Sequence, residues 1–247
     1  MADTKISGAS DGVTFNSTDK IPLARSGSTS KLWATALYVY TYVSGIIVST
    51  ANTFTAAQRG AFSTLTDGAT VTPDFSLANN YNLTLGGSRT LGVPTNIVAG
   101  HKGDINIYQD ITGSRTLAYA WVYEFPGGAA PVLSTGKLVA DELYYKVNYY
   151  STSVVTMTLA APGVVTWTAH GLISGQKIQL TTTGALPTGL TASTTYWVTV
   201  TGANTFNLSS SLANAQAGTL ITTSVSQSGV HTAVACSITI GNTLGRA

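Results

Sequence analysis

The chain has 247 residues, of which only 9% are charged, and its formal net charge is +2. It carries 40 threonines, 24 serines and 25 glycines beside 44% hydrophobic residues, which argues against intrinsic disorder because the chain can fill a core. No lysine- or arginine-rich run occurs, so the cationic surface that non-specific nucleic-acid binding needs is missing. The composition predicts an all-β protein of mainly antiparallel, sandwich-like modules.

The first unit, residues 1–51, is a turn-rich approach to one apolar segment. Within 32–43, the spacing of Trp33, Leu37 and Tyr40 suits a helix, whereas alternating tyrosines suit a strand. We prefer a short helix, and expect one or two such helices near the N-terminus. Residues 32–51 have the length of a membrane span, but hydroxyl side chains and a Ser-Gly pair interrupt them, so no membrane span is predicted.

The second unit, residues 52–152, is predicted to be a β-sandwich with short strands between glycine-rich turns. The sequence Gly-Ser-Arg-Thr-Leu occurs at 87–91 and again at 113–117. Two copies are too few to predict a solenoid, so we interpret them as two similar hairpin turns that expose Arg89 and Arg115. The predicted strands are Tyr81–Leu85, Asp104–Gln109, Leu117–Phe125 and Glu142–Tyr149.

The third unit, residues 153–247, is predicted to be a C-terminal β domain. It contains no carboxylate, because Glu142 is the last acidic residue of the chain. A carboxylate pair or a carboxylate metal ligand is therefore impossible within it. Its predicted strands are Val164–Thr168, Lys177–Thr182, Tyr196–Val200 and Ser237–Ile240.

Motifs for catalysis, metals and cofactors are weak throughout. A G-x-S-x-G pattern at 8–12 has neither the preceding strand nor the following helix that a nucleophilic serine requires. His101, His170 and His231 have no histidine partner at metal-binding spacing, and the ring of His170 is expected to satisfy backbone groups at a bend. Cys236 is the single cysteine and permits no intrachain disulfide. We predict no catalytic, metal or cofactor site.

The carboxylates offer one enzymatic alternative. Asp141 and Glu142 are adjacent and would point to opposite faces of a strand, so they do not form a catalytic pair. A glycan depolymerase would need Asp104, Asp110 and Glu124 clustered ~5 to 9 Å apart across a groove.

Aromatic side chains offer a binding alternative. Sugars could stack against Trp121, Tyr123, Tyr149, Trp167 or Trp197, although cross-strand pairs in a core are the favoured interpretation for each. A free-standing carbohydrate-binding module would expose Trp121, Trp167 and Trp197 on a flat platform.

Three stretches of the sequence resemble proteins of tailed-bacteriophage virions. The opening Lys5-Ile6-Ser7, 18–22 and 25–31 look like a phage N-terminal attachment module. The middle unit resembles a phage structural domain, and the last unit is similar to a small β module of phage tail proteins that is related to a domain of ubiquitin-activating enzymes. The matching segments of these two units are 57–60, 65–69, 83–91, 94–96, 109–110, 113–117, 125–128, 169–172, 183–190, 196–198 and 204–208.

The resemblance implies a non-enzymatic virion structural protein, made in the host cytoplasm and located at the phage tail or head surface. A short tail fibre or tail-associated protein is the first expectation, and a capsid decoration or head fibre is the alternative. The implied partners are other virion proteins, two further copies in a homotrimer, and a host-surface glycan or receptor. Particle docking is expected at Ile21, Pro22, Leu32, Trp33, Leu37 and Tyr40, and surface or glycan contact at Arg89, Arg115, Trp121 and Tyr123.

Overall fold

The computed structural model describes residues 20–23, 32–35 and 60–246, and its contacts divide the chain into two units, Met1–Arg59 and Gly60–Ala247. In the first unit, β1 (Lys20–Leu23) and β2 (Leu32–Thr35) pair antiparallel. The preferred helix is therefore wrong for 32–35, which form a strand, and 36–43 lie outside the described residues. Of the predicted docking residues, Ile21, Pro22, Leu32 and Trp33 lie on this pair of strands, while Leu37 and Tyr40 fall outside the described residues.

The second unit is built almost entirely of strands, which confirms the all-β class. Its one described α-helix is short and lies late in the chain, with the Ser211 side chain accepting a hydrogen bond from the Asn214 N–H at its start. The elements are β3 (Phe62–Thr64), β4 (Thr70–Val71), β5 (Asn80–Leu85), β6 (Arg89–Leu91), β7 (Lys102–Gln109), β8 (Leu117–Tyr119), β9 (Tyr123–Glu124), a 3-10 turn (Pro126–Gly128), β10 (Ala140–Met157), β11 (Val164–Thr166), β12 (Lys177–Thr182), β13 (Thr195–Gly202), β14 (Thr205–Ser209), α1 (Leu212–Gln216) and β15 (His231–Arg246).

Strands β3 to β8 wind as a short parallel coil. Strands β3, β5 and β7 pair in parallel in one sheet, and β4, β6 and β8 pair in parallel in another. A parallel bridge between Asp74 and Thr95 links two successive turns on a further side. Consecutive strands thus lie in different sheets, as in a β-solenoid of three turns, and the antiparallel sandwich expected for this part of the chain is wrong.

The repeated Gly-Ser-Arg-Thr-Leu sequences are corners of this coil. Arg89 pairs with Leu117 in the parallel ladder between β6 and β8, so the two copies lie on neighbouring turns. The interpretation as hairpin turns is wrong, because β5 before the first copy and β6 at its end belong to different sheets.

Two long antiparallel strands join the coil to the rest of the unit. Strands β10 and β15 pair from Ala140 and Arg246 to Val155 and His231, with two register shifts. Strand β7 adds to the first half of β10, β11 continues the sheet beside the end of β10, and β12 continues it beside the start of β15. The strand order of the large sheet is β3-β5-β7-β10-β11-β14-β13-β12-β15-β9.

These two strands contribute to both hydrophobic cores. Leu143, Tyr145 and Ile238 belong to the core under the coil, whereas Val155 and Ala233 belong to the core formed with β11–β14. The predicted domain boundary between residues 152 and 153 lies inside β10. Within the described residues, no helix has the length and hydropathy needed to cross a membrane.

Candidate ligand-binding face

The two predicted surface arginines are both engaged by carboxylates at corners of the coil. Arg89 donates from Nε and Nη2 to Asp67 at 2.8 and 2.6 Å. Arg115 donates from the same two atoms to Oδ2 of Asp110 at 3.1 and 2.7 Å. Planar guanidinium pairing of this kind fixes a turn, so both side chains have a structural task in this fold.

The Asp110–Arg115 pair predicts a localised response to acid. Hydrogen bonds from Arg115 lower the pKa of Asp110 from its ordinary 3.8 to about 2. A carboxyl whose pKa is lowered on folding stabilises the fold above its ordinary pKa, and that contribution is lost as the pH falls from about 4 towards 2. We expect Arg115→Ala to raise the pKa of Asp110 and Arg89→Ala, the matched control, to leave it unchanged. Carboxyl chemical shifts in an NMR titration measure both, and an unmoved Asp110 in Arg115→Ala would contradict the assignment.

The predicted aromatic contact residues lie in or against the core. Tyr123 is only 5% exposed and its hydroxyl donates to the carbonyl of Gly92 at 3.0 Å. The expectation that Tyr123 contacts a surface ligand is therefore wrong. Trp121 is half-buried and packs against the same core. Trp167 is buried and Trp197 half-buried, so these three tryptophans do not form the flat exposed platform that a carbohydrate-binding module needs.

The three histidines bind neighbouring groups of the fold. Nδ1 of His170 accepts the Leu172 N–H at 2.9 Å and Nε2 lies 3.0 Å from the Gly202 carbonyl, which confirms its expected role at a bend. Nε2 of His101 lies 2.9 Å from Oδ1 of Asn79, and burial lowers the pKa of this ring. Nδ1 of His231 lies 2.8 Å from the Thr182 hydroxyl. No group of three or more potential metal ligands is found among the residues that the structure describes.

The acidic residues considered for catalysis have different surroundings. Asp110 is bound to Arg115, and Glu124 lies 3.5 Å from the buried amino group of Lys177. Asp104 lies six residues before Asp110, about 20 Å along extended chain. Asp141 is buried and accepts both the N–H and the hydroxyl of Ser134, whereas Glu142 lies on the opposite side of β10, as the sequence predicts.

Polar side chains form two rows across the outer side of the coil. In β5, β7 and β10 the inward positions are buried, so the intervening residues face outwards. The strand registers fix which outward residues are neighbours. The first row is Phe62, Asn80, Asp104, Tyr144 and Gly241, and the second is Thr64, Asn82, Asn106 and Glu142. We call these two rows together the outer polar face.

Direct contacts order this face. The side-chain amide of Asn106 donates to that of Asn82 at 3.0 Å. The ring of Tyr144 lies over Gly241, where a Cβ atom would overlap it, so the glycine provides the space for the ring. Burial and the nearby charge of Glu142 both raise the pKa of Asp104. The two carboxylates are diagonal neighbours on adjacent strands and act on each other through space.

The surroundings of the face balance its charge and extend it. Lys102 and Lys146 are paired across β7 and β10, two residues along each strand from Asp104 and Tyr144. They form the next outward-facing pair of the same sheet. Two cations therefore border two carboxylates. Beyond Tyr144, an open groove of about 250 Å³ is lined by Pro126, Ala129, Pro131, Val132, Tyr144, Ile240, Gly241 and Asn242.

Sequence reasoning missed this face because its members are far apart in the chain. The alternation of polar and apolar residues in 80–85 and 104–107 marks which side chains face outwards. It does not show that Asp104 lies beside Tyr144, since that neighbourhood depends on the register between β7 and β10.

Comparisons with known proteins give little overlap. No known protein family and no curated protein sequence matches the chain. Among solved structures, the endosialidase of phage phi92 is similar with a TM-score of 0.25 and 16% sequence identity. The match covers 46% of this chain and 18% of the endosialidase chain.

Proposed function

We propose that this chain is a non-enzymatic structural protein of a tailed-bacteriophage virion, a short tail fibre or tail-associated protein that presents its outer polar face to the host surface. Residues 1–51 dock onto the particle, and the chain assembles as a homotrimer. The virion context comes from the sequence resemblances of the three units predicted from the sequence, residues 1–51, 52–152 and 153–247.

The observation that carries a binding role is the outer polar face itself. Its rows cross up to five strands, about 19 Å from β3 to β15, on a sheet whose two long strands also contribute to both cores. A face built on paired strands is held rigidly, so little conformational entropy is lost when a ligand binds to it. Asn, Asp, Glu and Tyr side chains supply hydrogen-bond donors and acceptors along its length.

The location is tested on purified virions of the phage that encodes the chain. We expect mass spectrometry to find the chain in the particles and gold-labelled antibody to mark the tail. Labelling of heads would instead favour a capsid decoration or head fibre. Absence of the chain from the particles would contradict the proposal as a whole.

The assembly state has its own measurement. Light scattering of the full chain is expected to give three times 25.5 kDa. A trimer would agree with a fibre or spike built by cyclic symmetry. A monomer at all concentrations would contradict the trimer and leave a surface decoration that gains partners on the particle.

A further inference from the structure

We propose that the outer polar face binds a neutral, hydroxyl-rich glycan laid across strands β3, β5, β7 and β10, from Phe62 to Tyr144. The inference rests on the proposed function only in placing the glycan on the host surface. The binding chemistry rests on the face alone.

The hydrogen-bonding groups of the face suit hydroxyl ligands. The carboxylates of Asp104 and Glu142 accept hydrogen bonds, and their negative charge strengthens bonds from sugar hydroxyls. The side-chain amides of Asn80, Asn82 and Asn106 both donate and accept. Because a sugar hydroxyl also does both, it can bridge a carboxylate and an amide on neighbouring strands.

Aromatic rings stand at the two ends of the first row. Phe62 is 56% exposed on β3, and Tyr144 is 37% exposed on β10. Three strand spacings, about 14 Å, separate their backbones, which suits a short oligosaccharide. The C–H face of a pyranose ring is apolar and packs on an aromatic ring. The ring of Tyr144 is already positioned over Gly241.

Charge selects a neutral chain over a charged polymer. Lys102 and Lys146 offset Asp104 and Glu142, so these four groups sum to zero formal charge. An acidic polysaccharide would bring its carboxylates against Asp104 and Glu142, and a polycation would meet the two lysines. Burial and the charge of Glu142 both raise the pKa of Asp104, and an added anion beside these two carboxylates would be repelled in the same way.

The test measures binding of the full chain to three sets of immobilised oligosaccharides: neutral hexose chains, N-acetylhexosamine chains and uronic-acid chains. We expect binding to a neutral set, with less than about a twofold change between low and high salt, because no net charge is neutralised. The inference is overturned if the chain binds neither neutral set, or if it prefers the uronic-acid set.

Variants then locate the binding. Tyr144→Ala and Asp104→Ala are each expected to weaken binding about tenfold, which corresponds to about 1.4 kcal/mol. Tyr150→Ala is the matched control, since Tyr150 lies on the same strand and is also 37% exposed. An equal loss in Tyr150→Ala overturns the assignment. Asn106→Ala is expected to weaken binding less than these two substitutions. Thermal melting of each variant checks that it is folded.

Two other outcomes separate the proposals. If Tyr144→Ala lowers the oligomeric mass and the chain binds no glycan, the occupant of the face is a second copy and the inference fails. If the chain is present in virions but binds neither neutral set, the proposed function stands without the glycan. If it binds through Tyr144 but is absent from virions, the proposed function fails and the binding site stands.

Discussion

Replacing Gly103 by alanine is expected to lower the free energy of unfolding by about 3 kcal/mol or more, at or above the usual range for overpacking. A Cβ atom at Gly103 would collide with the backbone carbonyl of Asn79. That carbonyl is held in place, because it accepts the Tyr145 hydroxyl at 2.9 Å and the Asp104 N–H at 3.3 Å. Moving this carbonyl away from the new Cβ atom would therefore break these two hydrogen bonds. Urea unfolding of the full chain measures the effect.

Gly68→Ala is the matched control for this prediction. Its nearest neighbour would be the Thr70 carbonyl at 3.6 Å, an ordinary van der Waals distance. Removing a glycine also reduces the entropy of the unfolded chain, so we expect a change of less than about 1 kcal/mol. Equal stability of Gly103→Ala and the wild type would show that the Asn79 corner is not packed against β7 as described.

Replacing Phe206 by alanine is expected to lower the free energy of unfolding by about 3 to 5 kcal/mol. Phe206 is fully buried in the second core, with its ring centroid 5.4 Å from that of His170 and 6.5 Å from that of Trp167. Because β10 and β15 contribute to both cores, the loss should also reach the first core. Native-state hydrogen exchange measures this as a similar fall in protection for β5 and β13 amides.

Leu159→Ala serves as the control, since Leu159 is 50% exposed and its truncation should change stability by less than about 0.5 kcal/mol. A fall in protection confined to β13 would contradict the coupling. The two cores would then unfold separately despite their shared strands.

Local patterns in the sequence predicted most strands of the second unit. The alternation in Tyr81–Leu85 and Asp104–Gln109 places every second side chain in a core, and both segments are strands in the structure. Lys177–Thr182 was also predicted with its observed bounds. These predictions succeed because a half-buried strand has a period of two whichever strand it pairs with.

The pairing partners could not be predicted in the same way. The corner at 87–91 has the glycine and serine of a hairpin turn, yet its Arg89 binds Asp67, and β6, which begins within it, joins a different sheet from β5. Turn residues permit a change of direction without setting its angle. Whether such a chain forms hairpins or a coil depends on which arrangement buries more apolar surface, and that is a property of all the turns together.

The sequence by itself determined the all-β class, the opposite sides of their strand on which Asp141 and Glu142 lie, and the lack of acidic residues after Glu142. Only the tertiary structure decided the parallel coil, the strands shared by two cores and the outer polar face. Asp104 and Tyr144 are 40 positions apart and become neighbours through one strand register. Alternation is a local property of the chain, whereas register is set by the packing of whole strands. The side of a strand on which a residue lies can therefore be predicted from the sequence, but its neighbours on other strands cannot.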